Sequence, residues 1–362
     1  MTVRIGALIY GACFHYIDHL APLCAILNIP LLVTEEEMQD KIMRWYPGVE
    51  VIWCSTLLIG EYIMQHFALL FVCTPRLLFD EVFFFAQAMH HRKIHTIWCP
   101  HGNSDKGHLV HWMETLEQER ALLLYGDRMC AFLKQKHVCV GNKHLFVVGD
   151  YRRHYYLTHK AFYEKLMNKM LYAKLAECYP IILYAPTWCD AENSSSFKNS
   201  VATLVMHLPE EMQLLIKPHP HLLLDIHHEI YLERCEEHPR VLVLRDFLPV
   251  HPLLSSVHAF IGDFSSVGYD ALYYELPMVF LAHHRRLQER DLGLYLFQCG
   301  RELPFDACES VYTLLKDMPH NLHEKQRCVY HETFAEIKDL QLFRQHMHDF
   351  CRTIVQEELD VF

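Results

Sequence analysis

Ala259-Phe260-Ile261-Gly262-Asp263-Phe264-Ser265-Ser266-Val267-Gly268-Tyr269-Asp270 reads as the end of a buried strand, a short polar turn and the first turn of a helix. Two serines at a helix start gather hydroxyls and backbone N–H groups around one spot, where the helix dipole favours an anion. Asp270 stands one helical turn after Ser266 and can share that side of the helix. A phosphate at the helix tip with a ribose beside it fits this pattern. An ordinary capped helix fits it as well, so the stretch gains weight only from others like it. Lys217-Pro218-His219-Pro220 supplies a second polar cluster at a strand end, and His101-Gly102 a third.

Outward from that stretch the chain alternates. Val3–Tyr10, Pro30–Thr34, Val49–Cys54, Ala68–Thr74, Thr96–Cys99, Ala121–Leu124 and Leu145–Val148 are apolar, β-rich runs separated by segments with helical spacing. Ile181–Ala185, Leu214–Lys217, Val241–Leu244, Ala259–Gly262 and Met278–Leu281 repeat the pattern, and after Leu303 the chain turns helical. Continuous apolar strands alternating with helices predict an α/β fold of parallel, doubly wound sheets. The 362 residues fit two such domains. We expect a Rossmann-like acceptor-side domain at 1–155, a linking helix at 156–178, a Rossmann-like nucleotide-donor domain at 179–335 and a helical segment at 336–362. The two domains are expected to face each other across a cleft. Ligands of open α/β sheets bind beyond the carboxyl ends of the strands, and His101, Thr187, His219 and Ser265–Ser266 all follow strand ends.

Composition narrows the classes. A formal net charge of −11 argues against a general nucleic-acid binder. The 14 cysteines lie singly, mostly in apolar runs and without a CxxC pair, which predicts reduced thiols and a cytoplasmic protein. The start of the chain reads as a strand and lacks the pattern of a signal peptide. The apolar region Ser55–Phe85 is interrupted by Glu61, Gln65, His66, Arg76 and Asp80, too often for a spanning helix of about 20 apolar residues. Peripheral contact with a membrane, at its inner face, stays open.

Each polar cluster suggests a chemistry. Gly102 would let the backbone approach a ligand closely, and His101 beside it could act as a general base. Prolines on both sides of His219 restrict its backbone, and with Lys217 it could neutralise a diphosphate. Arg152 and Arg153, after Gly149-Asp150-Tyr151, suit anionic oxygens. Asp225, His227 and His228 lack a completing ligand set, so no metal is expected.

With these motifs in view, the sequence resembles the CDP-glycerol glycerophosphotransferase family, the teichoic-acid polymerase-like enzymes. His101-Gly102, Ala185-Pro186-Thr187-Trp188, Lys217-Pro218-His219-Pro220 and Asp263-Phe264-Ser265-Ser266-Val267 with Asp270 carry the resemblance, in order and approximate spacing. It implies a GT-B fold and transfer of a glycerol-phosphate or related polyol-phosphate unit from a CDP-activated donor, CDP-glycerol foremost, to a hydroxyl, with release of CMP. No cofactor is implied. The acceptor would be a hydroxyl-bearing glycan or lipid-linked molecule. His101 would be the base and His219 the second catalytic group. Gly102, Thr187, Lys217, Asp263, Ser265, Ser266 and Asp270 would bind the donor. A nucleotide-sugar glycosyltransferase of the same fold and a catalytically idle nucleotide-binding protein are the competing readings.

Overall fold

The computed structural model describes residues 4–103, 115–189, 195–263, 265–282, 292–319 and 321–356. They form two compact units. The first holds the described residues up to His101, from Thr115 to Thr158 and from Thr333 onward; the second holds Gly102, Asn103 and those from His159 to Glu332.

The first unit is a seven-stranded sheet of β1 (Ile5–Ile9), β2 (Leu31–Val33), β3 (Val51–Trp53), β4 (Leu69–Val72), β5 (His95–Trp98), β6 (Ala121–Leu124) and β7 (His144–Val147). Its order is β3-β2-β1-β4-β5-β6-β7, and every pairing is parallel. The second unit is six-stranded: β8 (Ile181–Ala185), β9 (Gln213–Ile216), β10 (Val241–Val243), β11 (Ala259–Gly262), β12 (Met278–Ala282) and β13 (Arg301–Pro304). Its order is β10-β9-β8-β11-β12-β13, again all parallel. Both sheets therefore wind outward in two directions from a central strand pair, β1/β4 and β8/β11.

Burial explains the parallel arrangement. Leu69 to Val72 in β4 and Leu214 to Ile216 in β9 are fully buried, which needs helices on both faces. In the second unit Ile182, Tyr184, Leu214, Ile216, Ile261 and Val279 build one core with Phe197 and Leu204 from the helix Phe197–Met206. Strand β13 escapes the sequence reading because it is an edge strand. Among Arg301-Glu302-Leu303-Pro304 only Leu303 is buried, so no apolar run marks it.

Two features differ from expectation. The helix expected over 156–178 is instead a pair, Tyr151–Thr158 and Lys160–Leu171, parted at His159, whose φ of −110° and ψ of 22° leave the helical region. After the helix Asn321–Thr333 the chain returns to the first unit, where the Ala335 N–H donates to the Tyr125 carbonyl at 2.9 Å. Gly149 makes room for this return. Its φ is +58°, and a Cβ there would stand 2.1 Å from the Ala335 carbonyl oxygen. The last helix, Leu340–Gln356, then buries Phe343, Met347, Cys351 and Ile354, and its Phe343 and Phe350 rings pack on Phe146 of β7.

All 14 cysteines are free. Among the described residues no helix is long and apolar enough to cross a membrane.

Candidate functional site

In the second unit, strands β8, β9 and β11 are neighbours, so the residues just after them share one edge of the sheet. This edge includes the β8/β11 switch point, where open α/β sheets form a crevice. Thr187, Lys217, His219, Asp263, Ser265 and Ser266 all lie there.

Asp263 organises the edge. Its carboxylate is fully buried, and Oδ2 accepts the backbone N–H groups of Thr187 at 2.9 Å and Ser196 at 3.1 Å. Ser195 donates its hydroxyl to the Thr187 carbonyl at 2.7 Å, and the Tyr184 and Ser196 hydroxyls bond at 2.7 Å. These bonds tie the segment after β8 to the end of β11. The sequence reading assigned Asp263 to the donor. In the structure its Oδ2 holds protein backbone. Thr187 is likewise buried. Ser195 and Ser196 went unnoticed because a serine pair gives no sign of which carboxylate it will meet.

Ser265 is the N-cap of the helix Ser266–Ala271. It is extended, with φ −132° and ψ 143°, and its hydroxyl accepts the Val267 N–H at 3.3 Å. Ser265 and Ser266 are half-buried. Asp270 lies on the same short helix but is buried, 3% exposed. Gly102, grouped with the second unit, comes against this turn. Its φ is +124°, and a Cβ there would stand 2.5 Å from Ser266 Cβ. Glycine is thus required at 102 both by conformation and by contact.

Lys217 follows β9, and its N–H donates to the Tyr184 carbonyl at 2.8 Å. His219 caps the short helix Pro220–Leu223, its Nδ1 accepting the His221 N–H at 3.2 Å. That bond puts the proton of the neutral ring on Nε2, which becomes a hydrogen-bond donor. The Trp188, His219 and His221 rings cluster at centroid distances of 5.0–6.4 Å.

In the first unit His101 follows β5. The Tyr125 hydroxyl donates to the Pro100 carbonyl at 3.0 Å and accepts from His19 Nδ1 at 2.9 Å, while Tyr151 donates to the His19 carbonyl at 3.0 Å. This buried chain fixes the backbone that carries His101. The His101 ring packs against Tyr16 at 5.0 Å and His15 at 5.9 Å. Desolvation pulls its pKa down from the usual 6.5 to about 4. The residue is nevertheless exposed to solvent, and the direction of the shift favours the neutral imidazole. His101 is therefore neutral at pH 7, but a weaker base than an ordinary histidine.

Arg152 and Arg153, expected to bind anions, each meet a carboxylate of the protein. Arg152 is buried with its Nη2 3.3 Å from Asp18 Oδ2, and Tyr46 donates to Asp18 Oδ1 at 2.7 Å. Arg153 Nε lies 3.5 Å from Asp150 Oδ2.

Residues 150–341 match the family described as CDP-glycerol:poly(glycerophosphate) glycerophosphotransferase. The chain belongs to this family.

Within the matched span lie Thr187, Lys217, His219, Asp263, Ser265, Ser266 and Asp270; His101 and Gly102 lie before it. No curated protein matches the sequence at significance. Solved structures show the fold. The wall teichoic acid polymerase TagF is 14% identical with a TM-score of 0.65, covering 98% of this chain and 90% of that one. A UDP-bound structure of S. aureus MnaA gives 11% identity and 0.65, covering 98% and 97%. UDP-GlcNAc 2-epimerase from Neisseria meningitidis, bound to UDP-GlcNAc, gives 10% and 0.60, covering 96% and 100%. The two parallel, doubly wound sheets are those of the GT-B class, and membership in the glycerophosphotransferase family makes the protein a transferase with a nucleotide-linked donor. Among the described residues no group of three or more histidine, cysteine or acidic side chains is placed to hold a metal, Asp225, His227 and His228 included.

Proposed function

We propose that the protein transfers a glycerol-phosphate or related polyol-phosphate unit from a CDP-activated donor to an acceptor hydroxyl and releases CMP. The observation that carries this reading is the shared sheet edge of Lys217, His219 and the Ser265–Ser266 turn, inside the span that matches the family. The ammonium of Lys217, the Nε2–H of His219 and the N–H groups of the Ser266 helix all suit a pyrophosphate. Asp270 is assigned to the ribose. His101, neutral at pH 7, is assigned to take the proton of the acceptor hydroxyl as oxygen attacks phosphorus. His219 and Lys217 then stabilise charge on the phosphoryl group and on leaving CMP. These cationic and N–H groups neutralise the charge themselves, so transfer should proceed without a divalent ion. A strict magnesium requirement, lost with chelator and restored on addition, would contradict this.

The fold shared with UDP-bound proteins keeps a nucleotide-sugar reaction as the second reading. Mass spectrometry of the protein incubated with CDP-glycerol, other CDP-polyols and UDP-sugars separates the two. Release of CMP from a CDP-polyol supports the proposal; release of UDP from a UDP-sugar supports the second reading. A nucleotide bound without turnover of any donor points to an idle protein.

The acceptor is proposed to be lipid-linked or a glycan at a membrane. An exposed apolar stripe supports this: Leu78, Phe85 and Met89, 63%, 55% and 70% exposed, run along the helix Asp80–His90 and the turn before it, with Leu57 at 94% nearby in sequence to the adjoining helix Ile59–His66. His90, His91, Arg92 and Lys93 follow it. Apolar side chains flanked by basic ones suit the surface of an anionic bilayer.

A further inference from the structure

Cys189 ends the described part of the segment after β8, next to Trp188, and its side chain is exposed. Its sulfur lies 4.0 Å from Nε2 of His228. On the far side of that ring Nδ1 lies 3.5 Å from Asp225 Oδ2. His228 is buried at 5% exposure, and its ring is held edge-on against Phe197 with centroids 5.4 Å apart. Asp225 is fixed too, because it caps the helix Ile226–Glu236 by accepting the His227 N–H at 2.9 Å. Among the described residues His228 Nδ1 makes no hydrogen bond, so the carboxylate acts on the ring through its charge alone, which favours a proton on Nδ1 and leaves the Nε2 lone pair toward the sulfur. A thiol, an imidazole and a carboxylate therefore neighbour one another in turn, the set of groups that activates cysteine elsewhere.

We infer that Cys189 is a base-assisted thiol that forms mixed disulfides with small-molecule disulfides such as oxidised glutathione. His228 Nε2 takes the proton from Cys189 Sγ. The thiolate attacks one sulfur of the disulfide, a new S–S bond forms to Cys189, and the old one breaks. The departing thiolate takes the proton back from His228. One thiol and one disulfide give one mixed disulfide and one thiol, with no further oxidant. Because Trp188 and Thr187 precede it, the adduct stands at the edge of the proposed donor site; this consequence rests on the donor-site reading above.

The other exposed thiols serve as internal references. Cys139 and Cys178 share the exposure, and at Cys328 a carboxylate works the other way: the sulfur bonds Glu332 at 3.4 Å, which raises its pKa. The test treats the full chain with oxidised glutathione at pH 7 and follows each cysteine by peptide mass spectrometry. Cys189 should react about tenfold or more faster than Cys139 and Cys178. In His228→Gln and Asp225→Asn it should fall toward their rate while theirs stay unchanged. Equal rates for the three cysteines in the unmodified protein overturn the inference without any variant. A Cys189 rate indifferent to both substitutions overturns it as well. Saturating CDP-glycerol should protect Cys189. If calorimetry shows CDP-glycerol bound and no protection follows, the placement at the donor edge is wrong. If CDP-glycerol does not bind at all, the donor reading fails and the rate comparison still decides the thiol chemistry.

Discussion

The Asp263 carboxylate accepts the backbone N–H of Thr187 at 2.9 Å, across the pair of strands where the second sheet reverses direction. The same oxygen holds Ser196 N–H, so one side chain fixes the segments after β8 and β11 together. Asp263→Ala leaves two buried donors unsatisfied and should cost about 3 kcal/mol or more of stability. Asp263→Asn keeps an acceptor oxygen and should cost less. Urea unfolding of both variants checks the order.

Ser265 and Ser266 carry separate loads. Ser265→Ala removes a helix cap and should lower stability by about 1 kcal/mol. Replacing both serines should weaken binding of CDP-glycerol by about 1–3 kcal/mol, the scale of lost charge-assisted hydrogen bonds. Calorimetry that finds every nucleotide bound as before would remove the serine turn from the donor site.

His101 and His219 should fail differently. His101→Ala is expected to bind donor normally and turn over about 10²–10⁴-fold more slowly. His219→Ala is expected to lose both, since its contact with the donor begins before reaction. Paired binding and single-turnover measurements separate the two patterns.

The pH profile carries the His101 environment. A base works only when unprotonated, so the rate is lost as pH falls below its pKa. Desolvation moves that pKa below 6.5, so kcat/KM should hold at its plateau to lower pH than an ordinary histidine allows. An acid limb centred at or above 6.5 that survives in His101→Gln would show another group to be titrating.

Acid stability should depend on His95, buried in β5. Desolvation, with Arg76 and Arg120 nearby, lowers its pKa from 6.5 to about 4. The unfolded chain takes up the proton first. His95 therefore contributes its full stability above pH 6.5 and loses it progressively toward pH 4. Glu119, also buried, has a raised pKa from desolvation and opposes this trend over the carboxylate range. Melting temperatures between pH 7 and 4.5 should fall less steeply in His95→Gln than in the parent protein.

Membrane contact is tested on the apolar stripe. Leu78→Glu with Phe85→Glu should reduce co-sedimentation with anionic vesicles about tenfold or more, given about 1.5–3 kcal/mol for each buried side chain. Thermal stability should hardly change, because both side chains are already exposed.

The sequence by itself determined the features whose causes are local. Leu69-Leu70-Phe71-Val72 and Leu214-Leu215-Ile216 announce buried parallel strands because an apolar run between helical segments has few other uses. Ser265 declares its cap because the partner N–H is two residues away. Polar clusters after strands mark, by position alone, the sheet edge proposed to bind the donor. Tertiary structure decided the features whose partners are distant in the chain. Arg152 meets Asp18 across 134 positions in a buried ion pair. Asp263 spends its carboxylate on Thr187, 76 positions away. The helix Leu340–Gln356 packs in the first unit although the second lies before it in sequence. A charged side chain looks the same in sequence whether it will face a ligand or a backbone N–H. Only folding decides which of the two satisfies it, since a charge removed from water must be met by whatever the distant chain brings alongside.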